Sequence, residues 1–353
     1  MKKLTSASIS QLLFLVLFLI LFVRTEYRGS DEINAAVNAF FRADPLVLVS
    51  YLLAAKSWTW LLLPAAVTLL MTALLGRFFC GWICPLGTVL DLVTGRIAKS
   101  APVRILGGNT KYWLLFPLLA ASLFGVNLAG LLDPIAILLR ALTFALHPLL
   151  GDSFRQGWVG LYRFMGDGRD TIAPAYAVIK NYLLPFRDTL YPLAFLSLLI
   201  FGLIIFLERY ETRCWCRRLC PLGTLLGLAG RLSPFARVPA TLCGDCARCT
   251  DLCPTSFDWE ILHKDECILC MECQLHCPHK RVRFRLSSLA AAGGKYLPER
   301  RVLLGGIVSG VFISRLFRFR QPEAQARLLR PPGVRDEKEF AHKCVRCGEC
   351  LKV

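Results

Sequence analysis

Eight of the sixteen cysteines in this 353-residue chain lie between residues 243 and 277, in two copies of one spacing. Each copy has three cysteines at three-residue steps, then a fourth cysteine followed by proline. The two sets are Cys243, Cys246, Cys249, Cys253 and Cys267, Cys270, Cys273, Cys277. This spacing is typical of paired 4Fe-4S clusters, in which the fourth cysteine of each copy binds the cluster of the other copy.

We therefore predict two clusters that exchange their fourth ligands. Structural zinc fits less well, because zinc sites use paired cysteines separated by a longer span. Disulfides need an oxidising compartment, whereas the charge pattern below predicts a cytoplasmic location. The predicted ligands are Cys243, Cys246, Cys249 and Cys277 for the first cluster, and Cys267, Cys270, Cys273 and Cys253 for the second.

Two further cysteine pairs have the spacing C-x3-C-P and the same Pro-Leu-Gly-Thr continuation. They are Cys80 with Cys84, and Cys216 with Cys220. If the segments are helical, the members of each pair share one face. Together the pairs could bind a cluster, form a redox-active thiol group, or pack as unreactive buried cysteines. Cys214 receives no role.

The chain reaches Val353 with Cys344, Cys347 and Cys350, three quarters of another ferredoxin motif. We expect the sequence to be a piece of a longer polypeptide, and we expect no complete third cluster within it.

Composition indicates a membrane protein, because 55% of the residues are hydrophobic and the mean hydropathy is +0.50. The net charge of +17 is explained by arginines that flank apolar helices. No basic patch with interleaved aromatic residues is present, so nucleic acid is not an expected partner. Phosphate-binding loops, dinucleotide fingerprints and nucleophilic triads are also absent from the sequence.

The fold class that we predict is membrane α-helical, with four transmembrane helices in a two-fold repeat and a small α+β ferredoxin domain. Loop arginines and lysines favour a cytoplasmic location for both termini of the four-helix unit. Residues 46–55 are apolar but too short to span, so we expect them to lie at the membrane interface. Residues 134–150 are expected to form a surface or re-entrant helix. The predicted spans are 9–23, 58–75, 112–132 and 190–207.

Four regions follow from these predictions. Residues 1–236 form the transmembrane domain, 237–285 the ferredoxin domain, 286–320 a basic linker, and 321–353 the start of a second ferredoxin domain. The linker contains Arg300 and Arg301 before a short apolar run. This run predicts export of the following segment or a fifth, short membrane helix, and a solvated helix remains the alternative.

The repeat also includes Asp44-Pro45 and Asp133-Pro134. Aspartate before proline is a common helix start, so we interpret both as caps in preference to a proton-handling role. Asp133 and His147 nevertheless stay as candidate proton acceptors.

On these motifs, residues 9–285 resemble the NapH-type membrane polyferredoxins, with NosR-like relatives, and residues 299–353 resemble the start of a NapG or MauM-type ferredoxin. The resemblance implies a quinol dehydrogenase component of the bacterial inner membrane. Electrons would pass through 4Fe-4S clusters to a periplasmic cytochrome or ferredoxin. Two alternatives remain, namely electron supply for the maturation or regulation of a periplasmic metalloenzyme, and a non-redox cluster-bearing sensor or scaffold.

Overall fold

The structure is a computed structural model that describes seven continuous ranges and six single residues. The ranges are 5–25, 37–94, 107–164, 194–238, 252–255, 266–286 and 300–319, and the single residues are 174, 176, 179, 249, 344 and 347. The first cysteines of the predicted ferredoxin motif, Cys243 and Cys246, and Cys350 of the third motif lie outside the described residues.

The described chain is mostly helical. Its helices are α1 Ser6–Arg24, α2 Ala39–Arg42, α3 Pro45–Ala55, α4 Leu63–Leu75, α5 Phe78–Trp82, α6 Pro85–Thr94, α7 Thr110–Leu123, α8 Ala129–Leu132, α9 Pro134–Ala141, α10 His147–Phe164, α11 Ala194–Leu207, α12 Pro221–Gly230, α13 Glu272–Leu275 and α14 Arg300–Phe319. A 3₁₀ turn at Trp60–Leu62 precedes α4, and π-helical turns cover Leu142–Leu146 and Trp215–Leu219.

Two helical segments in the described residues are long and apolar enough to cross a membrane, Ser6–Arg24 and Pro134–Phe164. The first agrees with the predicted span 9–23. The second runs through α9 and α10, where a surface or re-entrant helix was predicted, and two thirds of its most apolar stretch is buried. The predicted four-helix transmembrane unit is therefore not confirmed.

Two of the other predicted spans, 112–132 and 58–75, contain shorter helices than their apolar sequence suggested. The helix in 112–132 ends at Leu123, because Gly125 adopts a left-handed backbone with φ of 84° and turns the chain. Its 14 residues reach about 21 Å, less than the hydrocarbon thickness. In 58–75 the regular α-helix begins only at Leu63, and in 190–207 the described helix is Ala194–Leu207.

The Asp-Pro pairs begin α3 and α9, as the cap interpretation predicts. Asp44 accepts a hydrogen bond from the Leu46 backbone N–H at 2.7 Å, and Asp133 accepts one from that of Ala136 at 2.8 Å. The segment 46–55, expected at the membrane interface, buries Leu46, Val47 and Leu48 in the main core. That core also contains Cys80, Cys84 and Cys220, so it joins both halves of the repeat.

A two-stranded antiparallel sheet frames the ferredoxin region. Strand β1, Phe235–Val238, pairs with β2, Arg283–Leu286, in a register that sets Phe235 opposite Leu286. The Phe235 and Phe284 rings stack with centroids 5.9 Å apart. The segment between the two strands includes the predicted cluster loop and α13. Pairing of the strands therefore holds the two ends of this segment together.

Helix α14 packs closely along α7, and the two helices run in the same direction. A methyl group on Gly305 would lie 2.4 Å from the Trp113 ring, and one on Gly310 would lie 2.4 Å from the Ala120 Cβ. Such close approach requires glycine, and small residues at helix interfaces are typical of membrane packing.

Candidate metal centres

The first C-x3-C-P motif lies on two short helices rather than on one. Cys80 is in α5, which ends at Trp82, and Cys84 directly precedes Pro85 at the start of α6. The residue before a proline disfavours the helical conformation, so the helix breaks at the second cysteine. The predicted sharing of one helix face is therefore wrong for this pair. Both cysteines are buried.

The second motif has the same plan with a different local backbone. Cys216 lies in the π-helical turn Trp215–Leu219, and Cys220 is the N-cap of α12. The Gly223 backbone N–H donates to the Cys220 Sγ at 3.2 Å. Hydrogen bonds of this kind stabilise the thiolate, which is the form of cysteine that binds metals.

Two arginines connect the motifs crosswise. Each stands three residues before the first cysteine of its own motif and reaches the carbonyl group of the other motif's first cysteine. Arg213 Nη1 donates to the Cys80 carbonyl oxygen at 3.0 Å, and Arg77 Nη2 donates to that of Cys216 at 3.4 Å. Arg77 Nη2 also lies 3.9 Å from the Cys80 Sγ. The two motifs are thus held together at one site.

The four sulfur atoms act on one another electrostatically. Burial raises the pKa of Cys216 to about 12 and the pKa values of Cys84 and Cys220 well above the ordinary thiol value. Negative charge on the neighbouring cysteines adds to this increase for Cys84 and Cys220. Metal binding must therefore displace protons from buried thiols, and the two arginines offset the resulting negative charge.

The donor set fits an iron-sulfur cluster. Four cysteine sulfurs, an N–H group directed at Cys220 and two guanidinium groups are suitable surroundings for thiolate ligands. Among the described residues, no three Cys, His, Asp or Glu side chains converge closely enough to hold a single metal ion. A 4Fe-4S cluster binds each cysteine through a different iron, so its ligands stand farther apart than those of one ion.

The ferredoxin region contains a pocket lined by cysteines. All four predicted ligands of the second cluster line it, together with one cysteine assigned to the first cluster. Arg237, Thr255, Met271 and Phe284 complete part of its wall. The lining cysteines are Cys249, Cys253, Cys267, Cys270 and Cys273. Burial raises the pKa values of Cys267, Cys270 and Cys273 to about 12.

Cys277 has different surroundings. The backbone N–H groups of Val282, and then those of Arg281, His279 and Lys280, lower the pKa of its thiol. This cysteine does not line the pocket that the other five cysteines line. Its assignment to the first cluster stays a prediction.

The cluster loop packs directly on the first C-x3-C-P motif. A methyl group on Gly81 would lie 2.2 Å from the Ile268 carbonyl oxygen, so only glycine permits this approach. The Trp82 indole N–H donates to the Leu269 carbonyl oxygen at 3.0 Å. Ile268 is 2% exposed and belongs to the main core. The pocket cysteine Cys270 follows two residues later and acts electrostatically on Arg213.

Ion pairs reinforce this contact beside Cys267. Glu266 lies 3.3 Å from the Lys111 ammonium group and 3.8 Å from the Arg217 guanidinium group. Glu211 pairs with Arg217 and also with Arg218, at 3.1 Å from the latter. The ferredoxin loop is thus attached to α7 and to the second motif as well as to the first.

Some site residues were missed by the sequence reasoning, and others lie elsewhere. Arg77 and Arg213 were not singled out, although their shared position three residues before a cysteine is a usable signal. The candidate proton acceptor His147 packs against the Phe22 ring, with ring centroids 5.4 Å apart.

Cys344 and Cys347 of the third motif are half-buried. Cys347 packs against the main core and interacts electrostatically with Arg140.

Comparison with known proteins supports this location of the metal chemistry. A family model described as a 4Fe-4S binding domain matches twice, at residues 57–104 and 192–239. Each match contains one C-x3-C-P motif, and the ferredoxin cysteines from Cys243 to Cys277 lie outside both. No solved structure matches the chain.

Curated relatives share about a quarter of their residues with this chain. The putative electron transport protein YccM of Escherichia coli is 27% identical over 226 residues, covering 61% of this chain and 54% of the relative. The methylamine utilization ferredoxin-type protein MauN of Paracoccus denitrificans is 27% identical over 242 residues, covering 64% and 66%. The ferredoxin-type protein NapH of Haemophilus influenzae is 25% identical over 303 residues, covering 78% and 87%.

This chain spans about half to two thirds of the length of the first two of these relatives. The comparisons confirm its resemblance to the NapH-like polyferredoxins, at about a quarter sequence identity, and its possession of 4Fe-4S binding domain sequence in both halves of the repeat.

Proposed function

We propose that this chain is a membrane-bound electron-transfer protein that oxidises quinol and passes electrons through 4Fe-4S clusters to a periplasmic acceptor. The observation that carries the proposal is the contact of the ferredoxin loop with the first cysteine motif, through Gly81, Trp82 and Ile268. This contact puts the pocket cysteines beside the four cysteines of the repeat, three of which are buried. Relatives named as electron transport and ferredoxin-type proteins support the same function.

The clusters would supply one-electron carriers, which allow the two electrons of a quinol to be separated. The chain's own residues hold and tune these carriers. Cys80, Cys84, Cys216 and Cys220 would hold a cluster at the membrane motifs, and Cys253, Cys267, Cys270 and Cys273 would hold the next one. Arg77 and Arg213 stabilise negative charge at the first of these sites. Burial excludes water from it and strengthens that electrostatic effect.

The Arg300 segment supports a connection to the other membrane face. Helix α14 runs parallel to α7, whose Lys111 end binds Glu266 of the ferredoxin region. The start of α14 is therefore on the ferredoxin side and its end is on the opposite side. Its apolar run, 302–314, lies between Arg301 and Arg315 and reaches about 20 Å, which is shorter than the hydrocarbon thickness. We infer that this helix holds the chain against α7 and leads the third cysteine motif away from the ferredoxin side.

The test is reduction by quinol under anaerobic conditions. The purified chain in detergent receives a menaquinol analogue, and low-temperature EPR follows its clusters. We expect quinol to reduce the clusters of the wild type and of Cys214→Ser, a buried cysteine that is not one of the proposed ligands. In Cys80→Ser, quinol should fail while dithionite still reduces the ferredoxin clusters.

Reduction of the wild type by dithionite but not by quinol would contradict the proposal. The maturation donor and the cluster-bearing sensor would then be the better interpretations. Equal reduction of Cys80→Ser by quinol would show that electrons do not pass through the four-cysteine site.

A further inference from the structure

Asp44 and Asp133 occupy equivalent positions in the repeat, at the starts of α3 and α9. Both side chains are 0% exposed. Each uses one carboxyl oxygen, Asp44 Oδ1 or Asp133 Oδ2, to cap its own helix. The capping role that the sequence predicts therefore accounts for only half of each carboxyl group.

The second oxygen of each carboxyl group indicates that the pair holds a proton. Asp44 Oδ2 and Asp133 Oδ1 are fully buried, and no N–H or hydroxyl group in the described chain donates to either. The two carboxyl groups are neighbours that interact with each other, and a hydrogen bond between them is the bond that these oxygens still lack. Two carboxylates cannot form such a bond, because each can only accept. A proton held between them satisfies both oxygens and halves the buried charge.

Two other charged or titratable groups, Arg140 and Cys84, interact electrostatically with Asp133. The Arg140 guanidinium group donates to the carbonyl oxygens of Ala136, Gly130 and Leu131. Asp133 acts electrostatically on Cys84, which belongs to the four-cysteine site. The carboxyl pair is thus electrostatically connected to the site of the proposed cluster.

We propose that Asp44 and Asp133 share one proton and form a proton-binding site that compensates charge at the four-cysteine site. When that site gains an electron, the pair takes up a second proton from the aqueous phase. One O–H bond forms, no bond in the protein breaks, and two neutral carboxylic acids result. The added proton balances the added electron. The shared proton is independent of the function proposed above, whereas its coupling to an electron depends on a cluster at these cysteines.

The first test is infrared spectroscopy of the full chain in detergent, in H2O and in D2O, without quinol. The wild type should show the C=O stretch of a buried protonated carboxyl group. Asp44→Asn and Asp133→Asn should each lose it, because the new amide N–H can donate to the remaining carboxylate. Asp152→Asn is the matched control, since Asp152 is exposed and accepts from Gln156 at 2.8 Å. It should leave the band unchanged.

Absence of the band in the wild type, or its persistence in both single variants, would overturn the shared proton. If the single variants do not fold, the double variant Asp44→Asn/Asp133→Asn replaces them, because its two amides keep the shape of the pair and can bond to each other. Persistence of the carboxyl C=O band in this double variant would also overturn the shared proton.

The second test is redox titration of the cluster at the cysteine motifs with dithionite. Its midpoint potential should fall with rising pH in the wild type and become independent of pH in Asp44→Asn. A midpoint potential that depends on pH equally in the wild type and in Asp44→Asn would overturn the coupling.

Discussion

The two halves of the repeat have the same cysteine motif but different surroundings. In the first half, Gly81 and Trp82 follow the first cysteine and contact the ferredoxin loop. In the second half, Arg217 and Arg218 occupy the equivalent positions and form ion pairs with Glu211. The shared residues therefore place the sulfurs, while the residues between the cysteines decide what each half binds.

The crossing arginines differ in the same way. Arg213 forms two hydrogen bonds with the Asp91 carboxylate on α6, in addition to its bond to the Cys80 carbonyl oxygen. Asp91 follows Cys84 by seven residues, and the equivalent residue after Cys220 is Gly227. Arg77 is instead close to a cysteine sulfur. We infer that Arg213 mainly joins the halves and that Arg77 mainly tunes the cysteine site.

The largest loss of stability is expected for Arg213→Gln. It leaves Asp91 without its bidentate partner and removes a donor from the Cys80 carbonyl group. Breaking a buried ion pair typically costs about 3–5 kcal/mol, and the lower end applies because the Asp91 side chain is 35% exposed. Thermal unfolding in detergent measures the effect, with Arg77→Gln as the matched variant. An equal loss in Arg77→Gln would contradict the division of roles.

Gly81→Ala should have the next largest effect. The added methyl group would collide with the Ile268 carbonyl oxygen, and overpacking of this kind typically costs about 1–3 kcal/mol. We expect faster hydrogen exchange at residues 267–270 and slower electron transfer between the two sites. Gly202→Ala is the control, because a methyl group there meets nothing within 4 Å. Unchanged exchange in Gly81→Ala would contradict the docking of the ferredoxin loop on the first motif.

The raised pKa of Glu208 should make the stability of the chain depend on pH. Its carboxyl group accepts from the Arg213 N–H and from Thr94, and burial raises its pKa from 4.5 to about 7. Between these values the unfolded chain has lost the proton that the folded chain retains, so stability falls as pH rises through this window. Glu208→Gln should remove that fall, as measured by unfolding between pH 5 and pH 8. The same pH profile in Glu208→Gln would assign the dependence to another group.

The smallest effect on stability, with a clear redox effect, is expected for Arg77→Gln. Loss of a positive charge 3.9 Å from the Cys80 sulfur disfavours an added electron. The midpoint potential of a cluster at this site should fall by on the order of 50 to 150 mV. Redox titration followed by EPR measures it, and Arg231→Gln, at the far end of α12, should leave it unchanged. An increase of the potential would contradict this role of Arg77.

The sequence predicted local features better than their arrangement. Cysteine spacing located the two motifs and the ferredoxin loop, because ligand spacing is a local property of the chain. Hydrophobicity gave α1 correctly, but it could not show that the left-handed Gly125 ends α7 or that α9 and α10 continue as one long helix. The crossed arginines and the Asp44–Asp133 contact were also hidden, since they join residues far apart in the chain.

The central claim is that one cluster is held jointly by both halves. Its most direct test is the iron and acid-labile sulfide content of Cys84→Ser and Cys220→Ser, with Cys214→Ser as control. Cys84→Ser and Cys220→Ser should each lose the iron and sulfide of one cluster, and both should lose the same EPR signal, while the control keeps the wild-type content. Loss from only one of the two variants, or from neither, would contradict a shared site.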